Sequence, residues 1–160
     1  MGVFERGLEG VTSHLHGAEA KLAPGKISRM PTSQTLFSAD GRILAAVNNA
    51  GVSFYDTAAN TVVREIPVPG TVAIHFSPGG KYLNVYQKAN ASGAGEGEKN
   101  MTVWDVSTGA KVYECFQKAF NKAEWPYIQF SADDSVACRV VTNEAGTHHT
   151  TIEMKSFGVS

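Results

Sequence analysis

One five-residue phrase occurs three times in this chain. It reads Phe37-Ser38-Ala39-Asp40-Gly41, then Phe76-Ser77-Pro78-Gly79-Gly80, then Phe130-Ser131-Ala132-Asp133-Asp134. Each copy closes a short apolar segment with residues suited to a tight turn. The first two copies are followed by a second phrase that carries an aromatic residue and then an aspartate: Phe54-Tyr55-Asp56-Thr57 and Val103-Trp104-Asp105-Val106. Repetition of strand, turn and aromatic-Asp strand end means that one small antiparallel sheet is built more than once. The fold is therefore expected to be all-β, a series of propeller blades.

The segments between the phrases support that reading. Residues 43–47, 52–56 and 61–66 are β-like runs separated by Asn48-Asn49-Ala50-Gly51 and Ala58-Ala59-Asn60, and Pro67 and Pro69-Gly70 close the unit. Residues 72–76, 82–87, 101–106 and 111–116 repeat the plan, with a Gly- and Ser-rich insertion over 89–99 that predicts a flexible loop. In this second unit the strands carry apolar residues on both faces, as sheets covered on both sides do. Residues 128–130, 136–141 and 150–154 begin a third unit. Two complete four-stranded blades and part of a third are expected over 35–154, as a partial propeller. A loosely ordered extension with one short helix over 11–22 is expected within 1–34, and a tail over 155–160. A closed propeller takes roughly four to eight blades. An arc this short leaves apolar blade faces open and predicts self-association or the need for a partner.

Composition narrows the function classes. The 160 residues are 42% hydrophobic and 18% charged, so a core can form, and the formal net charge of -1 supplies no global attraction to nucleic acid or membrane. Cys115 and Cys138 sit in no metal or redox motif, which points to a reducing compartment. The N-terminus lacks the pattern of a signal peptide, and no apolar run approaches the roughly 20 residues of a membrane span. A soluble, cytoplasmic protein is expected. The sequons at Asn90 and Asn100 then read as chance matches.

No catalytic or cofactor constellation emerges. The run Gly93-Ala94-Gly95-Glu96-Gly97-Glu98-Lys99 lacks the spacing and the following helix of a phosphate loop, and its glutamates would repel phosphate. His14, His16, His148 and His149 have no acid or thiol partner at metal-ligand spacing. Asp56 and Asp105 read as turn-formers, because no second carboxylate recurs beside them for acid–base work. The structural blade positions are Phe37, Asp56, Phe76, Trp104, Asp105, Trp125 and Phe130. The chain has no Gly-His dipeptide of the kind that buttresses the aspartate in ordinary WD-type blades. One local charge feature stands out: Lys111, Lys118, Lys122 and Arg139, interleaved with Phe116, Phe120 and Trp125, read either as a mixture suited to RNA phosphate and base or a ribosomal protein, or as a solvated outer strand and linker between blades with its aromatics turned into the core.

The stretch from Gln117 to Glu144 carries a more specific signal. Its Trp125-Pro126 pair, Phe130-Ser131-Ala132-Asp133 turn, Cys138-Arg139 step and Val141-Thr142-Asn143-Glu144 ending resemble eukaryotic translation initiation factor 2A. Phe76-Ser77-Pro78 and Trp104-Asp105-Val106-Ser107-Thr108-Gly109 fit the same region, and the resemblance spans roughly residues 36–144. The related propeller-bearing subunit of initiation factor 3 is similar but matches less well after Phe130. The resemblance implies the N-terminal part of a WD40-like propeller in a non-enzymatic factor. Its implied partners are the small ribosomal subunit and initiator tRNA or mRNA, and no cofactor is implied. Residues 1–34 and the chain after Glu144 depart from the family's pattern, so a shortened form of such a factor is expected. The alternative is a generic WD40-like scaffold for protein partners.

Overall fold

A computed structural model describes residues 32–88, 99–142 and 150–157. The expected helix over 11–22, the insertion over 89–98, the sequon at Asn90 and all four paired histidines lie outside the described residues. The described chain is all-β and forms three antiparallel sheets of four, four and three strands. No described helix is long and apolar enough to cross a membrane.

Blade one is a meander of β1 (Gln34–Phe37), β2 (Ile43–Asn48), β3 (Gly51–Asp56) and β4 (Thr61–Ile66), paired in sequence order. Blade two repeats it as β5 (Thr71–Phe76), β6 (Tyr82–Gln87), β7 (Met101–Asp105) and β8 (Lys111–Cys115). The third sheet holds β9 (Ile128–Phe130), β10 (Val136–Thr142) and β11 (Thr150–Ser156) in the order β9-β10-β11. The chain divides into two compact units, one ending at Thr71 and the other starting at Val72. The third sheet therefore shares a unit with blade two.

Strand β11 reaches Ser156, two residues past the expected boundary, and the following Phe157 is 7% exposed. Phe157 packs its ring 4.9 Å from Tyr82 and 5.5 Å from Phe130, so burial holds residues expected to form a tail.

Each blade buries its central strands on both faces. Gly51 to Tyr55 of β3 and Tyr82 to Tyr86 of β6 are all buried, whereas β1 is largely exposed. Phe54, Leu83, Met101 and Val103 are fully enclosed, each worth about 1.5–3 kcal/mol of apolar burial. Both blades also carry a bulge at the same place. Phe54 pairs with Arg64 but Tyr55 with Val62, and Val103 pairs with Tyr113 but Trp104 with Lys111. The extra residue on the outer strand, Val63 or Val112, bends the strand away at the aromatic-Asp phrase.

At the far end of the outer strand the two blades close differently. Gly51 has φ +150, and a Cβ there would lie 2.0 Å from the Ile66 carbonyl oxygen and 2.7 Å from the Val68 nitrogen. Only glycine fits. The matching residue in blade two, Asn100, uses its side chain instead. Its Nδ2 donates to the Gln117 carbonyl at 2.9 Å, and its Oδ1 accepts from the Gln117 N–H at 2.8 Å. Asn100 is 2% exposed, which withdraws this sequon from the surface.

Candidate functional site

The two aspartates of the aromatic-Asp phrase organise turns. Asp56 accepts from the Ala58 and Ala59 amides at 2.9 and 3.0 Å and forms an ion pair with Arg42 at 2.9 Å. The Arg42 guanidinium, followed by those amides, holds its carboxyl down to about 2. Asp105 accepts from the Ser107 amide, the Ser107 hydroxyl and the Thr108 amide at 2.9, 2.7 and 3.1 Å. Partial burial works to raise its pKa, but the Ser107 and Thr108 donors outweigh it and the net shift is downward. A carboxylate held ionised by its own turn is an anchor rather than a proton shuttle. Trp104 is half-buried and donates its indole N–H to Thr102 Oγ1 at 2.8 Å.

The three phrase aromatics have different fates. Phe76 is 6% exposed and Phe37 is 56% exposed. Phe130 is half-buried and stacks on Tyr82 with centroids 5.5 Å apart and planes 13° from parallel.

The four basic residues lie on different elements. Lys111 starts β8 and is engaged locally, its Nζ 2.6 Å from Glu114, whose carboxyl it pulls down. Lys118 and Lys122 follow the other end of β8, about 13 Å away at strand rise, and both are exposed. Arg139 lies mid-strand in β10, paired in register with Ile128 and Glu153. It lines a small cavity with Tyr113, Cys138, Lys155 and Phe157. There the Lys155 ammonium donates to the Val112 carbonyl at 3.0 Å and lies over the Tyr113 ring at 5.2 Å.

Lys118 and Lys122 lie on one connection, between β8 and β9, and that connection is built on aromatic rings. Phe120 lies 5.0 Å from Tyr86 and 5.7 Å from Trp125, and Trp125 meets Tyr127 edge-on at 5.8 Å. Tyr127 Oη accepts from the Asn121 N–H and lies 3.2 Å from the Ala119 carbonyl, which ties the loop to β9. The Trp125–Pro126 peptide is cis. Burial raises the pKa of the Tyr86 hydroxyl at the base of the cluster. The result is two exposed ammonium groups on a loop braced by half-buried aromatics. Such a surface can pair with phosphate through charge and present ring edges to a base. Sequence spacing did not single out Tyr86 or Tyr127 as its supports. Among the described residues, no three His, Cys, Asp or Glu side chains converge.

No protein-family model matches the chain. Eukaryotic translation initiation factor 2A from Drosophila melanogaster is 36% identical over 115 residues, covering 68% of this chain and 18% of the relative. The Schizosaccharomyces pombe factor of the same name is 29% identical over 138 residues, covering 85% of this chain and 23% of the relative. This chain is a relative of eukaryotic translation initiation factor 2A. A subunit of eukaryotic translation initiation factor 3 from Aspergillus clavatus is also similar, at 27% identity over 130 residues, 68% of this chain and 17% of that protein. A crystal structure of a eukaryotic initiation factor superposes with a TM-score of 0.67 and 28% identity, covering 85% of this chain and 32% of that one. The three sheets are thus blades of a partial propeller shared with initiation factors. The chain spans about a fifth of the length of the factor 2A relatives it matches.

Proposed function

We propose that this chain is a non-catalytic module of translation initiation that works in the cytoplasm by contacting the small ribosomal subunit and initiator tRNA. The similarity to initiation factor 2A over most of the chain carries the reading. The Lys118–Lys122 connection is the surface that fits it, because two exposed cations on an aromatic-braced loop suit RNA backbone and base. Lys111 and Arg139 are secondary contacts in this reading, since each has local work in its own sheet.

Co-sedimentation of the full chain with small ribosomal subunits tests it. The double substitution Lys118→Glu, Lys122→Glu is expected to lower the bound fraction at least tenfold and to flatten its salt dependence. Lys111→Glu, at the opposite end of β8, is expected to change binding less than threefold. Equal binding by the parent chain and the double variant would overturn the assignment of this surface.

A second reading, a scaffold for protein partners, is favoured by one observation. Phe37 in blade one and Val140 in the third sheet are 56% and 61% exposed, apolar positions suited to a protein contact or to self-association. Light scattering of the parent chain separates the two states, because self-association makes the measured mass rise with concentration.

A further inference from the structure

The turn that closes the repeated phrase is held by a carboxylate in every sheet, but not by the same carboxylate. In blade one, Asp40 accepts from the Ser38 hydroxyl at 2.8 Å and the Arg42 amide at 2.9 Å. In the third sheet, Asp133 accepts from the Ser131 hydroxyl at 2.8 Å and the Ser135 amide at 3.0 Å. Blade two has Gly79 at that place and no acid of its own. Its Ser77 hydroxyl and Lys81 amide donate instead to Asp134, at 2.7 and 3.1 Å, and the Gly79 amide joins them at 2.9 Å. Asp134 belongs to the turn of the third sheet and is 2% exposed.

Two further facts make the fit reciprocal. A Cβ on Gly79 would lie 2.6 Å from Asp134 Oδ2 and 3.0 Å from its Cγ, so the incoming carboxylate fills the space of the missing side chain. Asp134 itself has φ +62, at the place where the other two turns have Gly41 at +71 and Gly80 at +74. A non-glycine residue in that region carries strain that its surroundings must offset. Three donors on a buried carboxylate supply the offset, and a carboxylate buried without them would be costly.

We propose that the Ser77–Lys81 turn is a carboxylate receptor, and that Gly79 and Asp134 form a matched pair that decides which sheet docks after blade two. A turn with glycine at its fourth place takes a neighbour with an acid at the fifth. A turn with aspartate at its fourth place is satisfied internally and makes no such demand. Docking a sheet without the acid would leave the buried Ser77 hydroxyl without its acceptor and the Gly79 and Lys81 amides without theirs.

Amide hydrogen exchange on the full chain reads this directly. Asp134→Gly is expected to speed exchange at Gly79 and Lys81 at least tenfold while Leu83, inside β6, keeps its protection. Gly79→Asp alone brings a second carboxylate into occupied space and is expected to lower the unfolding midpoint. Combining Gly79→Asp with Asp134→Gly moves the acid back into its own turn. Protection at Lys81 then returns while residue 79 stays fast, and the midpoint exceeds that of either single variant. If Asp134→Gly does not fold, Asp134→Asn carries the measurement, because Asn tolerates positive φ and keeps one acceptor. It should give intermediate exchange at the same two amides. Unchanged exchange at Gly79 and Lys81 in Asp134→Gly or Asp134→Asn, or single effects that simply add in the double variant, would overturn the proposal.

Discussion

Blades one and two follow one sequence plan and satisfy it by different means. Blade one closes on itself. Its turn acid Asp40, its Arg42–Asp56 ion pair and the close pass of Gly51 under the Ile66 carbonyl all lie within residues 40–66. Blade two meets these tasks with other partners. The acid comes from Asp134 in the next sheet, and the Asn100 side chain replaces the backbone contact at Gly51. At the place of Arg42 it has Lys81, which lies over the Tyr82 ring at 5.6 Å. A repeat therefore preserves the hydrogen-bonding demand of each position more faithfully than the residue that meets it. A buried donor is expensive to leave unpaired, whereas the source of its acceptor is interchangeable.

Several substitutions break or sharpen this contrast. The largest effect is expected in the cores. Phe54→Ala in blade one should cost about 3–5 kcal/mol, and Val103→Ala at the matching place in blade two only about 2 kcal/mol, because less volume is removed. Urea unfolding followed by hydrogen exchange within each blade measures both, and equal costs would contradict the correspondence of the two positions.

Next come the closures. Gly51→Ala drives a methyl into the Ile66 carbonyl at a strained φ and should cost at least about 3 kcal/mol. Asn100→Ala leaves two Gln117 groups without their partner and should cost about 1–3 kcal/mol. Thermal unfolding of the two variants ranks them, and an Asn100→Ala cost above that of Gly51→Ala would refute the assignment.

Acid should distinguish turn carboxylates from ordinary ones. Asp56 and Asp133 have folded-state values depressed to about 2, the first by the Arg42 guanidinium and the second by the Ser135 hydroxyl and amide. A depressed value means that the ionised form favours the fold. The contribution is complete above the unfolded value near 4 and is lost as pH falls toward 2. NMR titration of the carboxyl carbons should give midpoints well below 3.8 for both residues. Arg42→Ala should return Asp56 toward that value and leave Asp133 unmoved.

The smallest effect belongs to the same ion pair read as stability. With Arg42 largely exposed and its charge screened by water, its removal should leave the urea unfolding midpoint nearly unchanged. A larger loss would mean that blade one depends on this bridge more than on its turn.

Most of the strand plan was legible in the sequence. Alternating apolar residues and turn chemistry are local, and they placed strands from 36 to 154 within one or two residues of their ends, with the second-blade strand beginning at Tyr82 as expected. The turn roles of Asp56 and Asp105 were equally legible, because each carboxylate meets amides two and three residues on. The candidate binding surface was half legible. The lysines and aromatics were visible, but Lys111 and Arg139 look like Lys118 and Lys122 until the strands place them on different elements. Tyr86 gave no signal, because its ring partners lie more than thirty residues away in sequence.

The sequence by itself determined that this chain repeats a strand-and-turn unit, where each turn falls and which family it resembles. These follow from residue-level preferences and short-range hydrogen bonds. Tertiary structure alone decided that Phe37, Phe76 and Phe130, identical in their phrase, are exposed, buried and stacked on Tyr82. It also decided that Asp134 serves the turn of another sheet. An aspartate beside another aspartate reads as one more turn residue, and its partners are 53 to 57 positions away. What a polar group pairs with depends on which surfaces exclude water around it, and only packing sets that.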